Sequence, residues 1–224
     1  MHPSIALYGP IASGKTTVAD ILVSEYGYTR VSLTTPLKRL AELSREILHC
    51  RQVGALQTDS HAWMERKALV EGLTDKVSHS DFVLASSALN DTLLQPGKPR
   101  LWLQQIGTDL FRAADPDVWV RALVNSLPFR GTPPFVVDDM RFQNEAAALA
   151  AAGFKLVSCW LPEQSRLQRV ASIYEGVMPD ETHASECALR DWKDWDGVIN
   201  TGVPMAAQPG EVEYTLACLE GYSG

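Results

Sequence analysis

Short apolar runs alternate with longer amphipathic segments along this chain. Five runs have the length and composition of buried β-strands, and they lie at residues 5–8, 28–33, 134–139, 154–161 and 197–200. In the segments between them, apolar side chains recur every three or four residues, a period that indicates helices packed by one face. Strands that alternate with helices predict an α/β fold, in which a parallel sheet carries helices on both faces.

Residues with strong capping preferences predict where the helices begin and end. Gly27 is suited to end the first helix, which carries Val18 and Leu22 on its apolar face. Thr35 is placed to cap the second helix, with Pro36 as its first residue. Further helices are predicted at residues 117–125, 144–152, 163–174 and 212–220.

Residues 100–114 predict a helix with two different stripes, a pattern that Leu101 and Phe111 do not fit. The apolar arc comprises Trp102, Leu103, Ile106 and Leu110. A polar stripe recurs every four residues and comprises Arg100, Gln104, Thr108 and Arg112. These polar side chains could bind a phosphate and a base, or they could form a solvated helix face, and their spacing leaves both interpretations open.

Residues 51–98 are the least regular part of the chain, with mixed polarity and several small polar runs. We interpret them as helical and loop material inserted on one side of the sheet. On this interpretation residues 1–224 form a single domain that carries the insertion.

The composition limits the class of protein. The chain has 224 residues, of which 46% are hydrophobic and 21% charged, as is ordinary for a soluble globular protein. Its formal charge of −7 argues weakly against polymeric nucleic acid as a partner, because proteins that bind it usually present a basic face. Four scattered cysteines predict reduced thiols. We expect no signal peptide and no membrane span, and therefore a cytoplasmic protein.

Residues 9–16 read Gly-Pro-Ile-Ala-Ser-Gly-Lys-Thr, a complete G-x-x-x-x-G-K-[ST] motif between the first predicted strand and helix. Glycines let successive backbone N–H groups turn toward a polyphosphate, and the helix N-terminus adds its dipole. Lys15 is placed to reach the β- and γ-phosphates, and the Thr16 hydroxyl to ligate Mg²⁺. The predicted nucleotide-binding residues of this loop are Gly9, Ala12, Ser13, Gly14, Lys15, Thr16 and Thr17.

Two acids close the third apolar run. Asp139 is placed as a carboxylate that orients Mg²⁺ or its water shell; Asp138 is an alternative for that role, and acids that simply end a strand are a third interpretation. Farther along, Arg166 and Arg169 lie three residues apart, hence on one helix face. They could be lid arginines that close over a transferring phosphoryl group, or part of a solvated face.

Tryptophans are a further candidate for recognition of a base. Trp63, Trp102 and Trp119 could stack on a nucleobase, although tryptophans more often fill cores, and we expect Trp102 to do so.

Several longer runs resemble the bacteriophage-type deoxynucleoside monophosphate kinase family. The resemblance rests on the phosphate loop, Thr35-Pro36-Leu37-Lys38, Arg100-x-x-Leu103-Gln104-x-x-Gly107-Thr108-Asp109-x-x-Arg112, Asp115-Pro116-Asp117-Val118-Trp119-Val120, Asp139-Met140-Arg141-Phe142-Gln143-Asn144-Glu145, His183-Ala184-Ser185-Glu186 and Val198-Ile199-Asn200. It covers most of the chain apart from residues 51–98, where the family builds its base pocket. Gln143 departs from the family pattern, which often has proline there.

The resemblance implies transfer of the γ-phosphoryl group of ATP to a deoxynucleoside 5′-monophosphate, with Mg²⁺. It implies a P-loop NTPase-type sheet with a helical substrate-binding insertion and a lid at about residues 163–184. The implied catalytic residues are Lys15, Asp139, Arg141, Arg166 and Arg169. Asn200, with Thr201, is implied to lie near the adenine. We expect the substrate-binding residues to be Lys38, Arg100, Gln104, Thr108, Arg112 and Trp119.

Other functions share the same loop. A related phage kinase could phosphorylate the hydroxymethyl group of a modified uracil in DNA, although the net charge argues weakly against a polymer. Dephospho-coenzyme A kinase is another acceptor class. A nucleotide-dependent ATPase or switch would need no acceptor at all. Under the main hypothesis the partners are small nucleotides, a homodimer is compatible with the family, and a phage-encoded protein would act in the host cytoplasm.

Overall fold

The structure of this chain, a computed structural model, describes residues 2–52, 61–97, 99–128, 133–173 and 188–221. The chain divides into two compact units. The sheet unit comprises Met1–Ser32 and Ser126–Gly224, and the helical unit comprises Leu33–Asn125. The helical unit therefore begins earlier and ends later than the insertion predicted at 51–98.

The described part of the sheet unit contains five parallel strands. They are β1 (Ile5–Tyr8), β2 (Thr29–Val31), β3 (Phe135–Val137), β4 (Lys155–Trp160) and β5 (Gly197–Asn200). Their order in the sheet is β2-β3-β1-β4-β5, so β1 lies at the centre between β3 and β4. The prediction of a parallel α/β sheet is confirmed, and each of the five apolar runs contains one strand.

Helices flank this sheet and bury its apolar side chains. They are α1 (Lys15–Tyr26), α8 (Gln143–Ala151), α9 (Glu163–Ile173) and α10 (Gln208–Leu219), the last preceded by a 3₁₀ turn at Met205–Ala207. Alternation along β1 directs Ile5 and Leu7 toward one side, where they pack with Val18 of α1 and Val212 of α10. The helix boundaries predicted from Gly27 hold, because Gly27 adopts φ 69° directly after α1.

The described part of the helical unit is built from α-helices and one π-helix. They are α2 (Thr35–Gln52), α3 (His61–Leu73), α4 (His79–Ser87), α5 (Asn90–Leu94), α6 (Arg100–Gln104), a π-helix (Gln105–Arg112) and α7 (Val118–Ser126). Thr35 is the first residue of α2 rather than its cap, a shift of one position from the prediction. Among the described residues, no helix combines the length and the apolar character needed to cross a membrane.

Aromatic side chains form the core of the helical unit. The Phe82 ring lies 6.1 Å from Trp102 and 6.2 Å from Phe111, between ring centroids, and Phe111 lies 5.3 Å from Trp119. Both buried indoles satisfy their N–H groups, since Trp102 Nε1 donates to Ser86 Oγ at 3.1 Å and Trp119 Nε1 donates to the Gly107 carbonyl at 3.2 Å. The expectation that Trp102 fills a core therefore holds.

The prediction of a helix over residues 100–114 is confirmed, but the helix changes to a π-helix at Gln105, so the α-helical period does not continue beyond that residue. Hydrogen bonds in a π-helix join residues five apart, so its buried face is displaced from that of an α-helix. Ile106 and Phe111, which are five apart, are buried, whereas Leu103 and Leu110 are only half-buried. Phe111 thus takes the buried place that an α-helical period assigns to Leu110.

Phe111 and Leu110 test this displacement directly. We expect Phe111→Ala to lower the free energy of unfolding by about 3–5 kcal/mol, because a fully buried ring is lost and a cavity remains. Leu110→Ala, at the half-buried neighbouring position, is the matched control and should cost much less. Urea unfolding followed by circular dichroism measures both, and a larger loss for Leu110→Ala would contradict the π-helical register.

Candidate phosphate-binding site

The phosphate-binding loop connects the central strand β1 to α1. Gly14, at the N-terminus of α1, has φ 86°, and Ala12 has φ 62°, the one positive φ of a non-glycine among the described residues. The Ser13 N–H donates to the Pro10 carbonyl at 3.1 Å and closes the turn. Left-handed residues on both sides of Ser13 are typical of backbone nests that bind anions through successive N–H groups.

Gly9 makes the closest backbone approach in the loop. A Cβ at this position would lie 2.8 Å from the Cys159 carbonyl oxygen of β4 and 2.9 Å from Ser13 Cβ. Both distances are shorter than van der Waals contact. The motif therefore requires glycine at Gly9 because the neighbouring strand and the far side of the loop occupy the space of a side chain.

The Lys15 ammonium group lies along the inside of the loop. It donates to the Gly9 carbonyl and, at 3.0 Å, to the Pro10 carbonyl, and it lies 3.4 Å from Ser13 Oγ. Thr16, the next residue of α1, is exposed. The lysine and the helix N-terminus together place positive charge at the loop, as binding of a polyphosphate requires.

The acids after β3 have different partners. Parallel pairing of Val31 with Val137 brings Ser32 and both acids to the same end of the sheet. Ser32 Oγ donates to Asp139 Oδ2 at 2.6 Å, whereas Asp138 accepts from the Arg30 guanidinium group, which also binds Asp20 at 2.9 Å. The hydrogen bond with Asp138 is the main cause of the raised pKa of Arg30, although burial opposes it. Asp138 is thus neutralised by an arginine, while Asp139 is oriented by a hydroxyl.

Both arginines of α9 point to the loop. Arg166 is 3% exposed, pairs with Glu163 at 2.7 Å and lies 3.4 Å from the Ile11 carbonyl. Its hydrogen bond holds the pKa of Glu163 below the usual range. Arg169 donates to the Thr201 carbonyl at 2.7 Å, and its Nη1 lies 3.6 Å from where a Cβ on Gly14 would be. The two arginines therefore contact the loop and its neighbouring turn and do not form a solvated helix face.

The residues after β5 also contact the loop. Thr201 is fully buried, and its hydroxyl donates to the Ser13 carbonyl at 2.7 Å and lies 3.1 Å from the Trp160 carbonyl. Asn200 Oδ1 accepts from the Gly202 N–H at 3.0 Å, which closes the turn after the strand. The side chain of Asn200 therefore shapes this turn, and its expected place near the adenine stays a prediction.

Glu145 has a structural role in the run that begins at Asp139. This carboxylate is 1% exposed, and it accepts from the backbone N–H of Arg141 at 2.7 Å and of Phe142 at 3.0 Å. The carboxylate fixes the backbone that carries Arg141, at the start of α8. Sequence analysis assigned no role to Glu145, Ser32 or Glu163. Ser32 lay inside the strand predicted at residues 28–33, and only the structure, which ends β2 at Val31, places it after the strand.

The helical unit carries the remaining predicted residues. Lys38 lies exposed in the first turn of α2, Arg100 and Gln104 are exposed on α6, and Thr108 and Arg112 are half-buried on the π-helix. The stacking role predicted for Trp119 does not fit the structure, because its indole is 1% exposed, packs on Phe111 and is hydrogen-bonded to Gly107. The His183–Glu186 run and the lid beyond Ile173 lie outside the described residues.

Comparison with known proteins gives one sequence relative and a set of similar folds. No family model matches the chain. A protein of Acanthamoeba polyphaga mimivirus named "Putative deoxynucleotide monophosphate kinase" is 27% identical over 214 residues, which are 87% of this chain and 86% of the relative. The Thermus thermophilus protein TT1252 superposes with a TM-score of 0.52 at 19% identity, over the full length of both chains. A gluconokinase from Sinorhizobium meliloti 1021 superposes with a TM-score of 0.47 at 16% identity, over 97% of this chain and 93% of its own. The fold is that of an α/β P-loop NTPase.

Gly9 provides a test of the loop geometry. We expect Gly9→Ala to abolish detectable ATP binding in isothermal titration calorimetry, because the added methyl group displaces the loop from the Cys159 carbonyl. Gly210→Ala is the matched control: a Cβ there meets nothing within 4 Å, and alanine favours the α10 helix by roughly 0.5–1 kcal/mol. Unchanged ATP affinity in Gly9→Ala would contradict the proposed fit of the loop.

Proposed function

We propose that this protein transfers the γ-phosphoryl group of ATP to a deoxynucleoside 5′-monophosphate. The observation that carries the proposal is the convergence on one loop of the Lys15 ammonium group and the guanidinium groups of Arg166 and Arg169. A simple nucleotide-binding switch does not need several cations at the γ-phosphate, whereas phosphoryl transfer does. The name of the mimivirus relative, which matches most of both chains, supports a nucleotide as the acceptor.

The sheet unit would bind the donor nucleotide. The backbone of Ala12–Gly14 and the N-terminus of α1 would hold the β-phosphate, while Lys15 would leave the loop carbonyls and bind the β- and γ-phosphates. The Asn200–Thr201 turn would lie beside the adenine. This arrangement follows the rule that ligands of open α/β sheets bind beyond the carboxyl ends of the strands.

The residues at the loop fit a magnesium ion bound together with phosphates. Mg²⁺ usually takes one or two protein oxygens and completes its shell with phosphates and water. The exposed Thr16 hydroxyl and the Asp139 carboxylate are oxygen donors of this kind. Among the described residues there is no group of three or more acids, histidines or cysteines that could hold a metal alone. When bound, the ion would neutralise charge on the β- and γ-phosphates.

The chain's own residues would stabilise the transfer. An oxygen of the acceptor phosphate, already ionised, attacks the γ-phosphorus while the bond from that phosphorus to the β–γ bridging oxygen breaks, so no general base is needed. The negative charge that spreads over the transferring phosphoryl group would be stabilised by the guanidinium groups of Arg166, Arg169 and Arg141. Glu163 fixes the orientation of Arg166 through their ion pair.

The helical unit would bind the acceptor. Lys38 is proposed to contact its phosphate, because an exposed ammonium group in the first turn of α2 adds to the positive end of the helix dipole. The further proposed contacts are Arg100, Gln104, Thr108 and Arg112. Trp119 is omitted, since its buried ring offers no face to a base.

A coupled assay of ADP release tests the proposal. Purified protein with Mg-ATP is supplied with each deoxynucleoside monophosphate, with 5-hydroxymethyl-dUMP, with dephospho-coenzyme A, and with duplex DNA containing hydroxymethyluracil. We expect turnover with one or more monophosphates only. Turnover with DNA alone would make the protein a DNA-modifying kinase, and ADP release that no acceptor stimulates would make it an ATPase or switch.

Substitution of each of the two acids after β3 tests which of them binds the metal and which has a structural role in an ion pair. We expect Asp139→Asn to raise the Mg²⁺ concentration needed for half-maximal activity about 10- to 100-fold, because a ligand of the ion loses its charge. Asp138→Asn is the matched control. Because Asp138 is paired with Arg30, this substitution should leave the Mg²⁺ requirement near that of the wild type. Titration of the assay with MgCl₂ distinguishes them, and the opposite ranking would assign the metal to Asp138.

Arg112 tests acceptor binding. We expect Arg112→Ala to raise the KM for the monophosphate about tenfold or more, the cost of one charge-assisted hydrogen bond, with little change in the KM for ATP. Arg39→Ala is the control, because Arg39 is an exposed arginine of the same unit that is paired with Glu65. An unchanged acceptor KM in Arg112→Ala would contradict this role and favour the interpretation of the polar stripe as a solvated helix face.

A further inference from the structure

The helical unit contains a small cavity to which the proposed function assigns no ligand. It lies among α2, α3, α4 and the first residue of α5. Its polar lining comprises Ser44, Arg51, Arg66, Ser86, Ser87 and Asn90. The cavity therefore combines two guanidinium groups with hydroxyl and amide groups, and no acid among the described residues lines it.

Arg66 is a buried cation with incomplete pairing. The residue is 7% exposed, and its guanidinium group lies 5.5 Å from the centre of the Phe82 ring. Its Nη1 makes a long contact of 3.5 Å with Ser44 Oγ, and its buried Nε has no hydrogen-bond partner. Burial, together with the like charge of Arg51, lowers the pKa of Arg66. Within the described residues, no carboxylate forms an ion pair with it.

A buried charge without a counter-charge is destabilising, and an unpaired buried donor adds to that cost. An oxyanion reduces both costs, because guanidinium groups bind carboxylates and phosphates through paired N–H donors. The surrounding hydroxyls are suited to the same ligand. Ser86 Oγ accepts from Trp102 Nε1 at 3.1 Å, so its own hydrogen can be donated to an anion.

We propose that this cavity binds the phosphate or carboxylate group of a small molecule through Arg66 and Arg51. The position differs from that proposed for the acceptor phosphate. Along the α2 axis, Lys38 precedes Ser44 by about 9 Å and Arg51 by about 20 Å at the usual rise per residue. The site is thus a second anion site in the helical unit, and it does not depend on the kinase activity proposed above.

Calorimetric titration with sodium phosphate and with sodium acetate tests this site in the full chain. The titration uses Lys15→Ala protein, in which the phosphate loop has lost its main cation. We expect this protein to bind at least one of the two anions, and Arg66→Met in the same background to weaken that binding about tenfold or more. Tighter binding of acetate than of phosphate indicates a carboxylate ligand, and tighter binding of phosphate indicates a phosphate ligand.

Matched variants keep the test decisive. Arg39→Met in the same background removes an exposed arginine that is paired with Glu65, and it should leave anion binding unchanged. Asn90→Ala removes a lining amide and should also weaken binding, which provides a second test if Arg66→Met does not fold. The proposal would be overturned if the Lys15→Ala protein bound neither anion. It would also be overturned if Arg66→Met and Asn90→Ala, each added to the Lys15→Ala protein, left its anion affinity unchanged.

Discussion

The phosphate-binding loop depends on a backbone approach that admits no side chain. Gly9 lies so close to the Cys159 carbonyl of β4 that a methyl group would overlap it, and Thr201 binds the Ser13 carbonyl from the turn after β5. The loop is therefore supported by the ends of two neighbouring strands, in addition to β1 and α1. Because this support comes from the rigid sheet, the backbone N–H groups of the loop are oriented before any anion binds, and little ordering remains to be done on binding.

The charged groups around this loop are arranged in pairs that separate structural from chemical roles. Arg30 pairs with Asp138, whereas Asp139 accepts a hydrogen bond from the Ser32 hydroxyl. Glu163 holds Arg166 beside the Ile11 carbonyl, while Arg169 is held by the Thr201 carbonyl. Each arginine is thus positioned by a partner on the protein. Such preorganisation is what electrostatic stabilisation of phosphoryl transfer requires.

The helical unit shows a different balance between packing and polar groups. Phe111 enters its aromatic core through the five-residue period of the π-helix, and Gly107 permits close packing because a Cβ there would lie 2.5 Å from Leu37 Cδ2. Next to this apolar core, Arg66 keeps a buried charge without an acidic partner among the described residues. Globular cores rarely retain such a group without a reason, since an apolar residue of similar size often costs less. An anion ligand would supply that reason.

Periodicity and one local motif determined much of this protein. The five strands, the α/β class and the phosphate loop are all readable from short stretches, because strand and helix periods and the glycine–lysine spacing are local properties. The chain's tertiary structure alone decided which acid is neutralised, that Trp119 is buried, and that the helix beyond Gln105 widens to a π-helix. Arg30 and Asp138 are 108 residues apart, and their pairing follows from the adjacency of β2 and β3. Contacts of this kind depend on which surfaces the whole fold brings together, and no local pattern in the sequence encodes them.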